Sequence, residues 1–309
     1  MLLSAKKIVG FKTETTAGSA ESITATECAY NVFNARMSNS FAFMRRPGAA
    51  SFAPRKGVVG PAFGSISFTM ELYGSASWAS TLLPACGYVL DSTTYKPKSE
   101  PPGSNTKTIT IAFYEDGRCR QLYGCAGSFR INLTSGGLAT AEFNFSGIYS
   151  APTDASLPAA DFPSYTPLLF NGAGLTLGTT EWGTGSTKLR VSSLSIDAGN
   201  AVEPRQDVHA TSGVAHFHVA HSLVTGSMDP EVTTVANHAI WSEITASTET
   251  ALTVTLGSTG NLVTLSVPKL QWTNQDDGDR SGILTDNMTF EANQSADAGD
   301  DNFTISFAG

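Results

Sequence analysis

Charge is scarce in this chain. Lys, Arg, Asp and Glu make up 15% of its 309 residues, against the roughly 25% of a typical soluble domain, so much of the surface must be neutral and polar. Interface cores are depleted in charge, and the composition suits a protein whose surface is largely consumed by contacts with other subunits. No stretch approaches the roughly 18 apolar residues of a membrane span. Residues Met1 to Lys7 lack the basic segment and apolar core of a secretion signal, so a soluble protein made in the cytoplasm is expected. The four cysteines, Cys28, Cys86, Cys119 and Cys125, all fall in the first half. They read as buried free thiols, because a metal site needs tighter spacing and a disulfide is not legible from spacing. There is no Gly-x-Ser-x-Gly elbow in a strand-to-helix setting, no phosphate-binding glycine loop and no dinucleotide fingerprint. Neither an enzyme nor a cofactor is expected. The net charge of -8 argues against tight nucleic-acid binding, which rests on neutralising phosphates with Lys and Arg.

What the chain does contain is an echo of itself. Gly137 to Phe145 (GLATAEFNF) returns as Gly282 to Phe290 (GILTDNMTF), Gly74-Ser75 as Gly226-Ser227, and Pro54-Arg55 with Val58 as Pro204-Arg205 with Val208. Matches that keep their order while their offset drifts suggest a duplicated domain, since small insertions collect in loops. The length suits two domains of about 150 residues, and the expected division is 1–155 and 156–309. The junction is read near Ser150 to Ser164, where Pro152, Pro158 and Pro163 interrupt any regular pattern.

The dominant pattern has period two. Ile66, Phe68, Met70 and Leu72 alternate with Ser65, Ser67, Thr69 and Glu71; Ala141, Phe143 and Phe145 with Thr140, Glu142 and Asn144; Leu252, Val254 and Leu256 with Thr253 and Thr255; Met288 and Phe290 with Asn287, Thr289 and Glu291. These are half-buried strands with one core face and one Thr/Asn-rich face. Glu115-Asp116-Gly117 and Ser258-Thr259-Gly260 read as hairpin turns in equivalent places. Two short helices are expected. One spans Ser75 to Leu83 and stops before Pro84; the other starts at Asp229 as N-cap, with Pro230 at N1, and runs to Val235 and Ala236.

Other groups were weighed for chemistry. His216 and His218 share a strand face while His221 points away, with no acidic residue close by; strand histidines are the preferred reading over a metal site. Asn274, Asp276, Asp277 and Asp279 around Gly278 lack the closing Glu of a calcium loop and read as a polar hairpin. Residues Phe41 to Val59 read as a basic loop in an acidic protein, with Arg45, Arg46, Arg55 and Lys56 as candidates for contact with an acidic patch of a neighbouring subunit.

Taken together, ISFTMELYG, WASTLLPACG, TITIAFYEDGRCRQLYGCAGSFRINL and GLATAEFNFSG resemble the tail tube (major tail) proteins of tailed bacteriophages, in the form with a duplicated domain. The resemblance covers nearly the whole chain. It implies a mainly β fold: two tandem β-sandwich domains, each with one short α-helix, whose inner sheets join a ring-shaped β-barrel. It further implies trimeric, pseudo-hexameric rings stacked into a tube in the virion, assembled in the host cytoplasm. Partners would be other copies, the tape measure, terminator and baseplate proteins, and DNA passing through the lumen without sequence-specific binding. An acidic lumen would repel that DNA, and Glu71, Glu142 and Glu291, on the polar side of alternating strands, are the lumen-facing candidates. A hub or distal tail protein of the same fold is the first alternative. A carbohydrate-binding sandwich is the second, disfavoured because Trp78, Trp182, Trp241 and Trp272 form no paired platform in the pattern.

Overall fold

The computed structural model describes residues 3, 5–162, 164–178, 180–181, 190–236 and 239–309. Pro163 and Trp182 lie outside the described residues. In the first half the elements are β1 (Lys7–Thr13), β2 (Val32–Arg46), β3 (Arg55–Glu71), α1 (Ala79–Ala85), β4 (Tyr88–Asp91), β5 (Thr94–Pro97), β6 (Ile109–Glu115), β7 (Gly117–Thr134), β8 (Thr140–Tyr149) and β9 (Thr153–Ala155). The second half contributes β10 (Gly174–Leu177), β11 (Thr180–Glu181), β12 (Val191–Asp197), β13 (Asn200–Gln206), β14 (Val214–Ser222), β15 (Thr225–Pro230), α2 (Ile240–Thr245), β16 (Glu249–Ser258), β17 (Asn261–Arg280), β18 (Ile283–Asn293) and β19 (Thr304–Ala308).

The alternating segments form the strands their pattern requires. Along β8, Ala141, Phe143 and Phe145 are buried while Glu142 and Asn144 are exposed, so each step along the strand reverses the side chain's environment. In the first half, antiparallel pairing runs β1–β6–β7–β8–β3–β2. In the second it runs β10–β16–β17–β18–β15–β12, the same order of elements. The long strands β7 and β17 serve two layers. The start of β7 pairs with β6 and its end with β8, and the pairing with β8 is irregular between Tyr123 and Ala126, where Gly124 sits at φ +59°. A bulge of this kind bends a strand from one sheet into another. The layers meet across aromatic rings, with Phe11 of β1 stacked on Phe68 of β3 at 6.2 Å between centroids.

Among the described residues two strand ladders tie the halves together, beside isolated bridges of Ser135 with Phe170 and Leu138 with Leu169. Strand β12 pairs with the end of β7, Ser193 opposite Thr134 through Asp197 opposite Arg130. Strand β19 pairs with β5. All strands but β13 and β14 belong to a single 17-stranded sheet, and buried residues of both halves form one contiguous cluster. Among the described residues the sheet is open and a single chain closes no barrel.

Several expectations need correction. Helix α1 runs through Pro84 to Ala85; the lost backbone bond would go to Ser80, which is exposed, and 3₁₀-type bonds from Cys86 to Leu83 and Gly87 to Pro84 close the turn. The second helix begins at Ile240, not after Asp229. Asp229 and Pro230 end β15, because the Asp229 carboxylate accepts from the backbone of Ser192 and Ser193 on neighbouring β12 rather than capping a helix. Residues Phe41 to Val59 are a loop only over 47–54; their flanks, Phe41 to Arg46 and Arg55 to Val59, are the outer part of the β2–β3 hairpin. Of the three echoes, only Gly137–Phe145 with Gly282–Phe290 occupies matching places, each beginning in the turn before β8 or β18. Gly74 follows β3 whereas Gly226 lies inside β15 opposite Phe290, and Pro204-Arg205 sits on the outgoing strand β13 while Arg55 starts the returning strand β3.

Candidate functional site

Eight strand segments lie side by side across the junction of the halves: β2, β3, β8, the end of β7, then β12, β15, β18 and the end of β17. One face of this run is core: Ile66, Phe68, Phe143, Ile131, Leu194, Met228 and Phe290 are buried. The opposite face carries Ser65, Ser67, Thr69, Asn144, Ser128, Asn132, Ser195, Ser227 and Thr289 at matching registers. It is an open wall of hydroxyls and amides with few charges. Short polar side chains of this kind give a hydrated surface with little to grip a charged polymer.

The charges on that wall are specific. Arg130, opposite Glu142 on β8, donates from Nε and Nη2 to Asp197 Oδ2 at 2.9 and 2.6 Å, across the seam between the halves. Glu142 is exposed on this face, and Glu291 is half-buried on it, opposite Thr225 and Gln271. Glu71 does not extend the wall. It has the right parity but is only 7% exposed, with Asn31 Nδ2 donating to it at 3.4 Å, and its charge raises the Tyr165 hydroxyl's pKa further above what burial alone imposes. Alternation assigns a side but does not reveal what crosses over it.

The cations Arg45, Arg46, Arg55 and Lys56 cluster at the outer end of the β2–β3 hairpin, all exposed, with Arg46 directly opposite Arg55. Among the described residues none of them forms an ion pair. Like charges directly opposite destabilise a strand pair, so the tip gains from any anionic neighbour. The same hairpin exposes Phe41, Phe43, Met44, Phe52, Val58 and Val59. The second half has a counterpart, β12–β13 returning as β14–β15, which bends out of the sheet at Gly199 and Leu223. Gly199 has φ +60°, and a Cβ there would lie 2.0 Å from the Leu223 carbonyl oxygen. The resulting β13–β14 ribbon folds onto the first half, packing Val202, Val214 and Phe217 against Phe63, Tyr123, Ala126 and Ile148.

The ribbon also carries the histidines. His216 is buried and edge-on to His218, 6.4 Å between centroids; burial first, then Arg205 and His218, lower its pKa. His221 is exposed. Among the described residues no group of three or more His, Cys, Asp or Glu is placed to hold a metal. Asp276, Asp277 and Asp279 lie along β17 rather than around a loop. The cysteines are free, with Cys28, Cys86 and Cys125 buried. Trp78 and Trp272 are both buried in the core.

Sequence reasoning missed Glu14. This buried carboxylate accepts from the Thr108 and Thr110 hydroxyls at 2.6 and 2.9 Å and from the Gly124 and Gly18 backbone at 2.7 and 2.8 Å. Gly18 in turn lies against Ala215 of the ribbon. Nothing in the local pattern around Glu14 signals a carboxylate that gathers, besides nearby Gly18, donors from Thr108, Thr110 and Gly124, more than ninety positions away.

The fold is mainly β, a large antiparallel sheet with one polar, weakly charged face and, among the described residues, strand edges without partners. The chain belongs to the phage tail tube protein family, whose model matches residues 4–308. It is therefore a structural protein of the phage tail, a family that implies assembly with itself and with other tail proteins. Among curated proteins none matches the chain. No helix among the described residues is long and apolar enough to cross a membrane.

Proposed function

We propose that copies of this chain join edge to edge into closed rings that stack into the tail tube, with the Ser/Thr/Asn face of the eight-strand run lining the lumen. The observation that carries the reading is the pair of ends of that run. Among the described residues β2 pairs only with β3, and Asp276 to Arg280 of β17 pair only with β18. Unpaired edges on a long sheet invite association unless covered, and closure into a ring removes both. The recurrence of one strand order in the two halves supports a duplicated domain divided near residue 155, so three chains would act as six equivalent units and bring twenty-four strands to one barrel.

On this reading DNA slides along hydroxyls and amides with Glu142 and Glu291 repelling its phosphates, and no sequence is read. The basic tip of the β2–β3 hairpin, with its apolar flank, meets another ring or subunit, while tape measure, terminator and baseplate proteins meet the tube's inside and ends. The role is structural rather than catalytic. Negative-stain electron microscopy with light scattering tests it: hollow rings or tubes with threefold or pseudo-sixfold views are expected. A chain that stays monomeric at high concentration would overturn the tube reading in favour of a tail component present in few copies.

A further inference from the structure

The seam between the halves of one chain is a template for the seam between chains. Matching the two strand orders places β12 on β2, and each carries an irregularity in which three residues span two of the partner, between Val191 and Leu194 and, one ladder position along, between Phe33 and Arg36. It likewise places the end of β7 on the end of β17, since Arg130 opposite Glu142 corresponds to Asp276 opposite Asn287. Ser195 then corresponds to Arg36 and Asp197 to Ser38, because Ser195 faces Ser227 as Arg36 faces Ser67.

We infer that β2 of one copy pairs antiparallel with Asp276–Arg280 of β17 in a second copy, Ser38 opposite Asp276 and Arg36 opposite Gly278, with the charges reversed relative to the internal seam. The internal seam sets an acid on β12, Asp197, against a base on β7, Arg130. The external seam sets a base on β2, Arg36, against an acid on β17, Asp276, as diagonal neighbours on the polar face within reach of a long side chain. Three observations bear on this. Arg36 and Asp276 are both exposed, and neither has an ion-pair partner among the described residues. Beside the free edge of β2 runs a groove of about 420 Å³ lined by Lys7, Val9, Tyr30, Asn31, Ala35 and Arg36. Lys7 there lies over the Phe113 ring at 5.6 Å and opposite Glu115, and forms no ion pair among the described residues.

The opposing segment supplies what the groove lacks. Where the internal seam points Ile131 and Leu133 into the core, β17 has Asp277 and Asp279, both exposed. In the external seam these carboxylates face the groove and Lys7. Two similar seams of opposite polarity prevent confusion: β2 brought against the end of β7 would set Arg36 beside Arg130, and β12 brought against β17 would set Asp197 beside Asp276. Like-charge contacts of this kind suppress wrong pairings.

The inference rests on the ring reading, and its test separates the two. Wild type, Arg36→Asp, Asp276→Arg and the double exchange R36D/D276R are compared for ring formation by light scattering and electron microscopy, with thermal melts confirming that each variant folds. Each single change is expected to raise the concentration needed for rings about tenfold or more, and the double exchange to restore it. Rings from both single variants at the wild-type concentration, or loss in both with no recovery in the folded double variant, would overturn the seam and leave the ring reading standing. Absence of rings from wild type would instead remove the ring reading itself.

Discussion

The backbone N–H of Gly124 in β7 donates to Glu14 Oε1 at 2.7 Å, inside the protein, where the strand crosses from one layer to the other. The pair explains how a strand can leave its sheet without orphaning its backbone. Where bending takes Gly124 out of the ladder, a carboxylate from the turn after β1 takes the donor instead, and buried backbone groups must find some such partner.

Loss of Glu14 should accordingly be costly. Glu14→Ala removes an acceptor from Thr108, Thr110, Gly18 and Gly124 at once, leaving buried donors unsatisfied at about 1–3 kcal/mol each before relaxation or water entry. Urea unfolding is expected to show a loss of at least about 2 kcal/mol, with Glu14→Gln intermediate because it keeps one acceptor oxygen. A change in midpoint no larger than that of an exposed control such as Glu203→Ala would contradict this account.

Gly199 controls whether the second hairpin can leave the sheet. Gly199→Ala is expected to destabilise by roughly 1–3 kcal/mol, since the positive φ is strained for alanine and the added carbon meets the Leu223 carbonyl. Gly213, also at positive φ but with nothing within 4 Å of a Cβ, should cost less on the same change. Hydrogen exchange should show the effect concentrated in β13–β14.

Asp229 should make stability depend on acid pH. Burial raises its pKa, but hydrogen bonds from Ser192 and Ser193 outweigh this and hold it below the ordinary aspartate value of 3.8. With the folded pKa depressed, the stabilisation is fully present above that ordinary value and is lost as pH falls through the folded one. The stability gap between wild type and Asp229→Asn is therefore expected to be constant from pH 7 to 5 and to narrow below about pH 4. A gap unchanged down to pH 2.5 would show that the carboxylate's charge is not what matters.

Period-two strands and the hairpin turns at Glu115–Gly117 and Ser258–Gly260 were legible because each depends on residues adjacent in sequence. So was the polar wall, since alternation sorts Thr69, Glu142 and Thr289 onto one side without knowledge of what that side faces. The same local reasoning failed for Asp229. A helix cap and a carboxylate reaching a neighbouring strand look alike in sequence, and only the proximity of Ser192 decides between them. It failed again for the flanks of residues 41 to 59, where arginines and glycines suggested a loop but the pairing of Phe41 with Ala62 and Arg46 with Arg55 extends the hairpin.

Sequence alone determined the mainly β character, the near-absence of chemistry-bearing motifs and the weakly charged surface, because composition and alternation act residue by residue. Tertiary structure alone decided that Glu71 is covered while Glu142 is open, that Glu14 holds the bend of β7, and that, among the described residues, β2 and the end of β17 each keep one unpaired edge. Those outcomes depend on which distant segments come to lie side by side, and burial and edge pairing are properties of that arrangement rather than of any one stretch of chain.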